Sequence, residues 1–111
     1  MPMTAIVQRT GIDPQRIEDA IIGCVTETGE QGACVGRAAV LAAGWPIEIP
    51  GFSLNRFCGS GQTAVNLAAQ AVASGAHDVV YAGGVENMTR CPMGSDAGAL
   101  PMSLLERYNL V

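Results

Sequence analysis

A long uncharged segment, residues 57–77, restricts the fold of this chain more than any other feature. Within it, residues 59–74 have the small, apolar composition of a helix. The amide side chains of Gln62, Asn66 and Gln70 recur at helical spacing. Helices on the surface of a globular protein normally carry a charged stripe. We therefore expect this helix to be covered on most of its sides.

The low charge of the whole chain points to a surface that something else covers. Charged residues make up 14% of the 111 residues, against about 25% in an ordinary soluble domain. The cover could be the rest of a longer polypeptide, a second subunit, or both. The net charge is −4, and the six basic residues form no cluster, so we expect no nucleic-acid partner.

The sequence shows no features of a secreted or membrane protein. Residues 1–10 lack the basic start and apolar stretch of a signal peptide. The uncharged segment contains too many Gly, Gln and Ser residues to span a membrane. The expected location is therefore the cytoplasm, with no membrane span.

The four cysteines, at positions 24, 34, 58 and 91, have neither zinc-site nor redox-motif spacing, and His77 is the only histidine. Disulfides are rare in proteins without secretory signals. We therefore expect four reduced thiols, no bound metal and no cofactor-binding residues.

Strand and helix patterns alternate along the chain. The predicted strands are residues 17–25, 51–56 and 78–82, and the predicted helices are residues 33–43 and 59–74. Such alternation predicts an α/β fold with a mostly parallel sheet, since parallel strands are joined by helical crossovers.

The remaining segments give weaker signals. Residues 3–9 resemble the end of a helix with Gly11 as its left-handed cap. Asp13 followed by Pro14 is a helix-start or turn signal. Residues 85–101 are rich in turn formers and predict irregular structure. Ser103 could cap a last helix.

Cys58 is the candidate catalytic residue, because it lies between a predicted strand and a predicted helix. Sites in open α/β sheets form at the carboxyl ends of the strands. The N–H groups and positive end of a helix favour a thiolate. Gly59 and Gly61 would let a substrate carbonyl approach the backbone, where N–H groups could hold an oxyanion. The alternative is a small buried cysteine at a tight turn.

Chain order argues against His77 as the base for this cysteine. It follows the helix that begins near Cys58, so the two residues lie at opposite ends, roughly 25 Å apart at 1.5 Å per residue. We expect a surface histidine in a loop. Gly83, Gly84, Glu86, Asn87 and Met88 instead follow the third strand on the side of Cys58, where they could line a pocket or only form a turn.

Residues 55–61 (NRFCGSG) resemble the nucleophile segment of the thiolases, the acyl-CoA C-acyltransferases. Further segments resemble the same family in the same order: residues 11–14, 22–23, 51–56, 74–80, 82–90 and 92–94. Ketoacyl synthases carry similar nucleophile turns, but the GGVENM segment, residues 83–88, favours a thiolase. The resemblance covers almost the whole chain.

The resemblance implies a thiolase-like layered fold and a covalent mechanism. Cys58 would take the acyl group from an acyl-CoA, and the enolate of acetyl-CoA would then attack it, or the reverse thiolysis would occur. Coenzyme A thioesters are thus substrates, with no further cofactor. The resemblance also implies fatty acid metabolism and a homo-oligomer.

The family's C-terminal half, with its histidine and second cysteine, has no counterpart here. Its first strand, expected at the centre of the sheet, would precede Met1. Residues 1–111 are thus expected to be part of a thiolase N-terminal domain, with unpaired strand edges, a tendency to aggregate and no activity alone. The alternatives are a truncated non-catalytic polypeptide and, less favoured, a ketoacyl-synthase-type condensing enzyme.

Overall fold

A three-stranded parallel sheet forms the centre of the chain in a computed structural model, which describes residues 1–97 and 101–109. The elements in chain order are α1 (Pro2–Thr10), β1 (Asp19–Gly23), α2 (Val35–Ala42), β2 (Gly51–Leu54), α3 (Ser60–Ala73), β3 (Val80–Gly84) and α4 (Met102–Arg107). Two short 3₁₀ helices, Pro14–Arg16 and Gly29–Gln31, lie in the connections. The predicted α/β class is confirmed.

The strand order is β2-β1-β3, with β1 in the middle. Ile21 pairs with Phe52 of β2 and with Ala82 of β3. Every residue from Ala20 to Gly23 is buried, as expected for a strand covered on both faces. The expectation that the strand at the centre of the sheet is absent is wrong, because β1 occupies the centre and pairs directly with both β2 and β3.

The helices lie on the two faces of the sheet. The connection from β1 to β2 crosses the sheet in one direction, and the connection from β2 to β3 crosses it in the opposite direction. Because both strand–helix–strand connections are right-handed, α2 and α3 lie on opposite faces of the sheet. Accordingly, Val40 of α2 packs with Ala20 and Met3 in one core cluster. Ala64 and Ala68 of α3 pack with Ile21 in the other. The result is three layers.

Close contact between the layers depends on glycine. A Cβ built on Gly36 of α2 would lie 2.3 Å from the Phe52 carbonyl oxygen of β2. One built on Gly23 of β1 would lie 2.5 Å from the Ser60 carbonyl carbon in the first turn of α3. Real Cβ atoms do not approach backbone atoms so closely. Gly23 therefore sets the distance between the end of β1 and the start of α3.

Several predicted boundaries shift. β1 and β2 are shorter than expected, and β3 begins and ends two residues later than expected. Gly11 caps α1 as predicted, with φ 69°. Ser103 is not a cap, since α4 starts at Met102 and its N-cap is Pro101, two residues before the predicted cap. Residues 85–97 and 101 are irregular as predicted, and residues 98–100 of that prediction fall outside the described residues.

The expectation that α3 is covered on most sides is not met within the part of the chain that the structure describes. Its buried residues are Ser60, Ala64 and Ala68, all on the face toward the sheet. On the flank of this face Val65 and Val72 are about half exposed, at 50% and 47%. Gln62, Asn66 and Gln70 are also exposed, so the outer side of α3 is open to solvent. No helix among residues 1–97 and 101–109 is long and apolar enough to cross a membrane.

Candidate active site

A cleft of about 890 Å³ lies beyond the carboxyl ends of all three strands. Its walls come from the end of each strand and the segment that follows it. They are residues 23–26 at β1, residues 55, 57, 58, 60 and 61 after β2, residues 84–86 and 88 at β3, and residues 93, 94, 96 and 97. This is the position at which open parallel sheets form their sites. The lining is mostly apolar, and its polar side chains include Thr26, Asn55 and Glu86.

Cys58 lines this cleft and is exposed. It lies in the turn between β2 and α3, where Gly59 is the N-cap and Ser60 the first helical residue. The sequence-based placement of Cys58 at the start of a helix agrees with the structure. The alternative of a small buried cysteine does not fit this exposure.

The turn around Cys58 is closed by the Ser60 hydroxyl. Ser60 Oγ donates to the Phe57 carbonyl oxygen at 2.6 Å and accepts from the Arg56 N–H at 2.8 Å. Phe57 has φ 48°, in the left-handed region, which few bulky residues adopt. The thiol is therefore presented by a conformation that specific hydrogen bonds maintain.

The backbone beside Cys58 offers N–H groups to a ligand. The first turn of a helix leaves such groups without intrahelical partners. The Ser60 N–H donates to the Phe57 carbonyl, whereas those of Gly61 and Gln62 have no acceptor among the described residues. Gly61 adds no side chain there, and a Cβ at this position would meet nothing within 4 Å. Because Gly61 lines the cleft, an oxyanion could reach its N–H group.

His77 lies at the far end of α3, as chain order predicts. With 14 residues, α3 is about 21 Å long at 1.5 Å per residue. The His77 Nδ1 atom lies 3.7 Å from a carboxylate oxygen of Glu18, and both side chains are more than a third exposed. His77 therefore contacts a surface carboxylate and does not serve Cys58.

Glu86 lines the cleft and also holds it together. Its carboxylate accepts from the Val25 N–H at 2.9 Å, the Thr26 N–H at 3.3 Å and the Gln31 side-chain amide at 3.2 Å. The two possibilities left open by the sequence, lining a pocket or forming a turn, thus both apply. The sequence carried no signal for Gln31, the last residue of the second 3₁₀ helix, which is only 5% exposed.

Hydrogen bonds from the Thr26 side chain, from the Val25 N–H and from Gln31 outweigh partial burial and lower the pKa of Glu86 from 4.5 to about 2. A depressed folded-state pKa adds stability above pH 4.5, which is lost as the pH falls toward 2. We expect Glu86→Gln to lose this component, so its free energy of unfolding should fall less steeply between pH 4.5 and 2. Denaturant midpoints measured across this range test the difference.

Glu48→Gln is the control for this measurement, because Glu48 is an exposed carboxylate on the loop between α2 and β2. Its pH dependence should match that of the unmodified chain. A Glu86→Gln profile parallel to the unmodified one would contradict the role given to these hydrogen bonds.

The other cysteines lack the setting of Cys58. Burial, with the nearby Glu86 carboxylate adding to it, raises the pKa of Cys24 to about 11, and the side chain is 1% exposed. Cys91 is buried and its Sγ lies 3.5 Å from the Thr28 carbonyl oxygen. Cys34 is exposed at the start of α2, away from the cleft. All four are free thiols. Among the described residues, no group of three His, Cys, Asp or Glu residues could hold a metal ion.

The fold and the cleft define an α/β domain with an exposed cysteine at a strand-to-helix turn. The family model described as thiolase, N-terminal domain, matches residues 2–108. The chain therefore belongs to the thiolase family.

Named relatives agree with this assignment. A steroid 3-ketoacyl-CoA thiolase of Mycobacterium tuberculosis is 47% identical over 90 residues, which are 81% of this chain and 22% of that protein. A beta-ketoadipyl-CoA thiolase of Acinetobacter baylyi is 39% identical over 102 residues, 89% of this chain and 25% of that protein. These names belong to a family of acyltransferases.

A solved structure shows the same fold. The crystal structure of the Bacillus anthracis acetyl-CoA acetyltransferase superposes with a TM-score of 0.74 at 34% identity, covering 89% of this chain and 24% of that one. The chain thus spans about a quarter of the length of the relatives that it matches.

Proposed function

We propose that this chain supplies the nucleophile of an acyl-CoA C-acyltransferase, with residues 1–111 forming part of a thiolase N-terminal domain. The observation that carries the proposal is the position of Cys58, exposed in the cleft where all three strands end and beside free N–H groups of α3. Family membership and the names of the relatives support the same reaction.

The proposed reaction has two acyl transfers. The sulfur of Cys58 attacks the carbonyl carbon of an acyl-CoA, the bond to the CoA sulfur breaks, and the thiol proton ends on CoA. A base then removes an α-proton from acetyl-CoA. The resulting enolate attacks the acyl-enzyme, Cys58 leaves and regains a proton, and a longer 3-oxoacyl-CoA forms. Thiolysis is the reverse sequence. Each tetrahedral intermediate carries an oxyanion, which backbone N–H groups near Cys58 would stabilise.

The bases for these proton transfers belong to the rest of an intact thiolase in this proposal. His77 is the only histidine of the chain and lies at the opposite end of α3 from Cys58. We therefore expect the 111 residues alone to catalyse no thiolysis. Turnover by the purified chain would contradict this part of the proposal.

The wider setting of the reaction is part of the same proposal. The proposed substrates are acyl-CoA and acetyl-CoA, in line with the CoA thioesters that the names of the relatives contain. The proposed pathway, fatty acid metabolism, rests on the family resemblance and not on those names, which refer to a steroid and to beta-ketoadipyl-CoA. The free thiols favour a reducing compartment such as the cytoplasm. Exposed apolar side chains at Phe52 and Phe57 favour a homo-oligomer in the complete enzyme.

An acyl adduct on the predicted cysteine tests the proposal directly. The intact protein is incubated with acetyl-CoA, quenched in acid, digested and analysed by mass spectrometry. We expect an acetyl group on the peptide that contains Cys58. Cys34 provides the control, because it is also exposed but lies outside the cleft. An adduct on Cys34, Cys24 or Cys91 instead would sink the proposal.

A non-catalytic role is the second candidate, and the distance between His77 and Cys58 favours it for the chain by itself. This non-catalytic role predicts that no acetyl group is found on Cys58 after incubation of the intact protein with acetyl-CoA. A condensing enzyme of the ketoacyl-synthase type predicts acylation from a carrier-protein thioester but not from acetyl-CoA. The same adduct measurement with each donor separates these functions.

A further inference from the structure

We propose that Asn55 is a positioning residue for Cys58 and that Glu86 supports it through the backbone of Val25. The inference rests on the proposed role of Cys58 as the nucleophile. Asn55 acts on the peptide N–H of Phe57 in the turn at residues 55–60, and Glu86 acts on the peptide N–H of Val25, so neither acts on the thiol of Cys58 itself.

The turn needs such support because of Phe57, the residue before Cys58. Its φ of 48° lies in the left-handed region, and its side chain is 76% exposed. Packing within this chain therefore does not hold this conformation. A residue in a sparsely populated backbone region persists there only when surrounding interactions determine it. At Phe57 these interactions are hydrogen bonds to its N–H and to its carbonyl.

Asn55 accepts the hydrogen bond from the Phe57 N–H and links this turn to the loop after β1. Its Oδ1 accepts from the Phe57 N–H at 2.9 Å, and its Nδ2 donates to the Val25 carbonyl oxygen at 3.3 Å. One carboxamide thus joins the turn after β2 to the loop after β1. Alanine at this position would remove both bonds. Aspartate would keep the acceptor for Phe57 and lose the donor to Val25.

Glu86 binds the backbone N–H of Val25, the residue whose carbonyl accepts from Asn55. The Val25 N–H donates to its carboxylate at 2.9 Å, while the Val25 carbonyl binds Asn55. The carboxylate is itself held, because the Gln31 side chain donates to it at 3.2 Å and accepts from the Asn87 N–H at 2.6 Å. A continuous network of hydrogen bonds therefore connects Glu86, in the loop after β3, through Val25 and Asn55 to Phe57, the residue before Cys58.

An ordinary loop-stabilising role is the competing explanation for these bonds. It predicts a loss of stability in an Asn55 variant but normal chemistry in the molecules that remain folded. A positioning role predicts slower acyl transfer in folded protein, since misplacement of a reacting group by 1 Å can cost about a hundredfold in rate. The experiment must therefore read out chemistry as well as folding.

The test compares Asn55→Ala with Asn66→Ala in the intact protein. Asn66 is a matched control, an exposed asparagine of α3 whose Oδ1 accepts from Gln62 on the outer face. We expect Asn55→Ala to lower kcat about 10- to 100-fold with KM for acyl-CoA little changed. Asn66→Ala should behave like the unmodified protein. Asn55→Asp should recover part of kcat, since it keeps the acceptor for the Phe57 N–H.

Alkylation of Cys58 by iodoacetamide gives a readout that does not require turnover. Peptide mass spectrometry measures its rate relative to that of the exposed Cys34 in the same molecule. We expect this ratio to fall in Asn55→Ala, because the start of α3 no longer faces the sulfur in a fixed way. Folded Asn55→Ala protein with unchanged kcat and unchanged alkylation ratio would overturn the inference. If Cys58→Ala retained acyl transfer, the proposed function would fail, whereas the alkylation ratio would still test Asn55.

Discussion

Cys58→Ala is expected to lower kcat for acyl transfer in the intact protein by at least about a thousandfold, because no acyl-enzyme can form without the sulfur. The thiol is exposed, so its removal leaves no cavity. The free energy of unfolding should therefore change by no more than about 0.5 kcal/mol, and the thermal midpoint should shift little. Steady-state kinetics with acetyl-CoA and thermal unfolding measure the two effects separately.

Cys34→Ala is the control for loss of an exposed thiol, since Cys34 lies at the start of α2 and outside the cleft. Its kcat should stay within about twofold of the unmodified value, as for a surface change away from the site. Substantial activity in Cys58→Ala, with an acyl group on another cysteine, would show that the nucleophile has been assigned wrongly.

The sheet and its helices could be predicted from short-range patterns. The apolar residues Ala20, Ile21 and Ile22 indicated a strand covered on both faces, and the structure buries all three. Gly44 and Gly75 marked the ends of α2 and α3, and both have the positive φ of a left-handed cap, 72° and 80°. These signals depend on residues adjacent in sequence, and they therefore need no knowledge of the sheet order.

The sheet order itself was not accessible in this way. The resemblance led to the expectation of an absent central strand, yet β1 pairs with both β2 and β3. Pairing depends on contacts between segments far apart in sequence, such as Ala20 with Gly51 and with Tyr81. The local sequence of β1 does not show whether it is an edge strand, paired on one side, or a central strand, paired on both.

The candidate site shows the same division. The position of Cys58 at a strand-to-helix turn followed from the sequence, because strand and helix patterns meet there. The hydrogen bonds that shape the turn did not. Left-handed residues are usually predicted from glycine, and Phe57 gives no such signal. Glu86 reaches Val25 across 61 positions of sequence, a contact that only the folded sheet creates.

Gly23→Ala is expected to destabilise the chain and to disturb the site together. The added Cβ would lie 2.5 Å from the carbonyl carbon of Ser60 and 2.6 Å from the nitrogen of Gly61. Both are backbone atoms, so relief requires a shift of the first turn of α3 away from β1. Overpacking of this kind costs about 1–3 kcal/mol, and occasionally more. We expect a value near the top of that range, measured as a drop in the denaturant or thermal midpoint.

Gly61→Ala is the matched control for Gly23→Ala, because it adds the same methyl group to the other side of this contact, where a Cβ meets nothing within 4 Å. It should leave stability unchanged or raise it by up to about 1 kcal/mol, since alanine loses less backbone entropy on folding. A shift of α3 would also move Ser60, whose hydroxyl closes the turn before Cys58, so kcat of the folded Gly23→Ala protein should fall as well. Equal midpoints for the two variants would mean that β1 and α3 do not approach each other as closely as the structure shows.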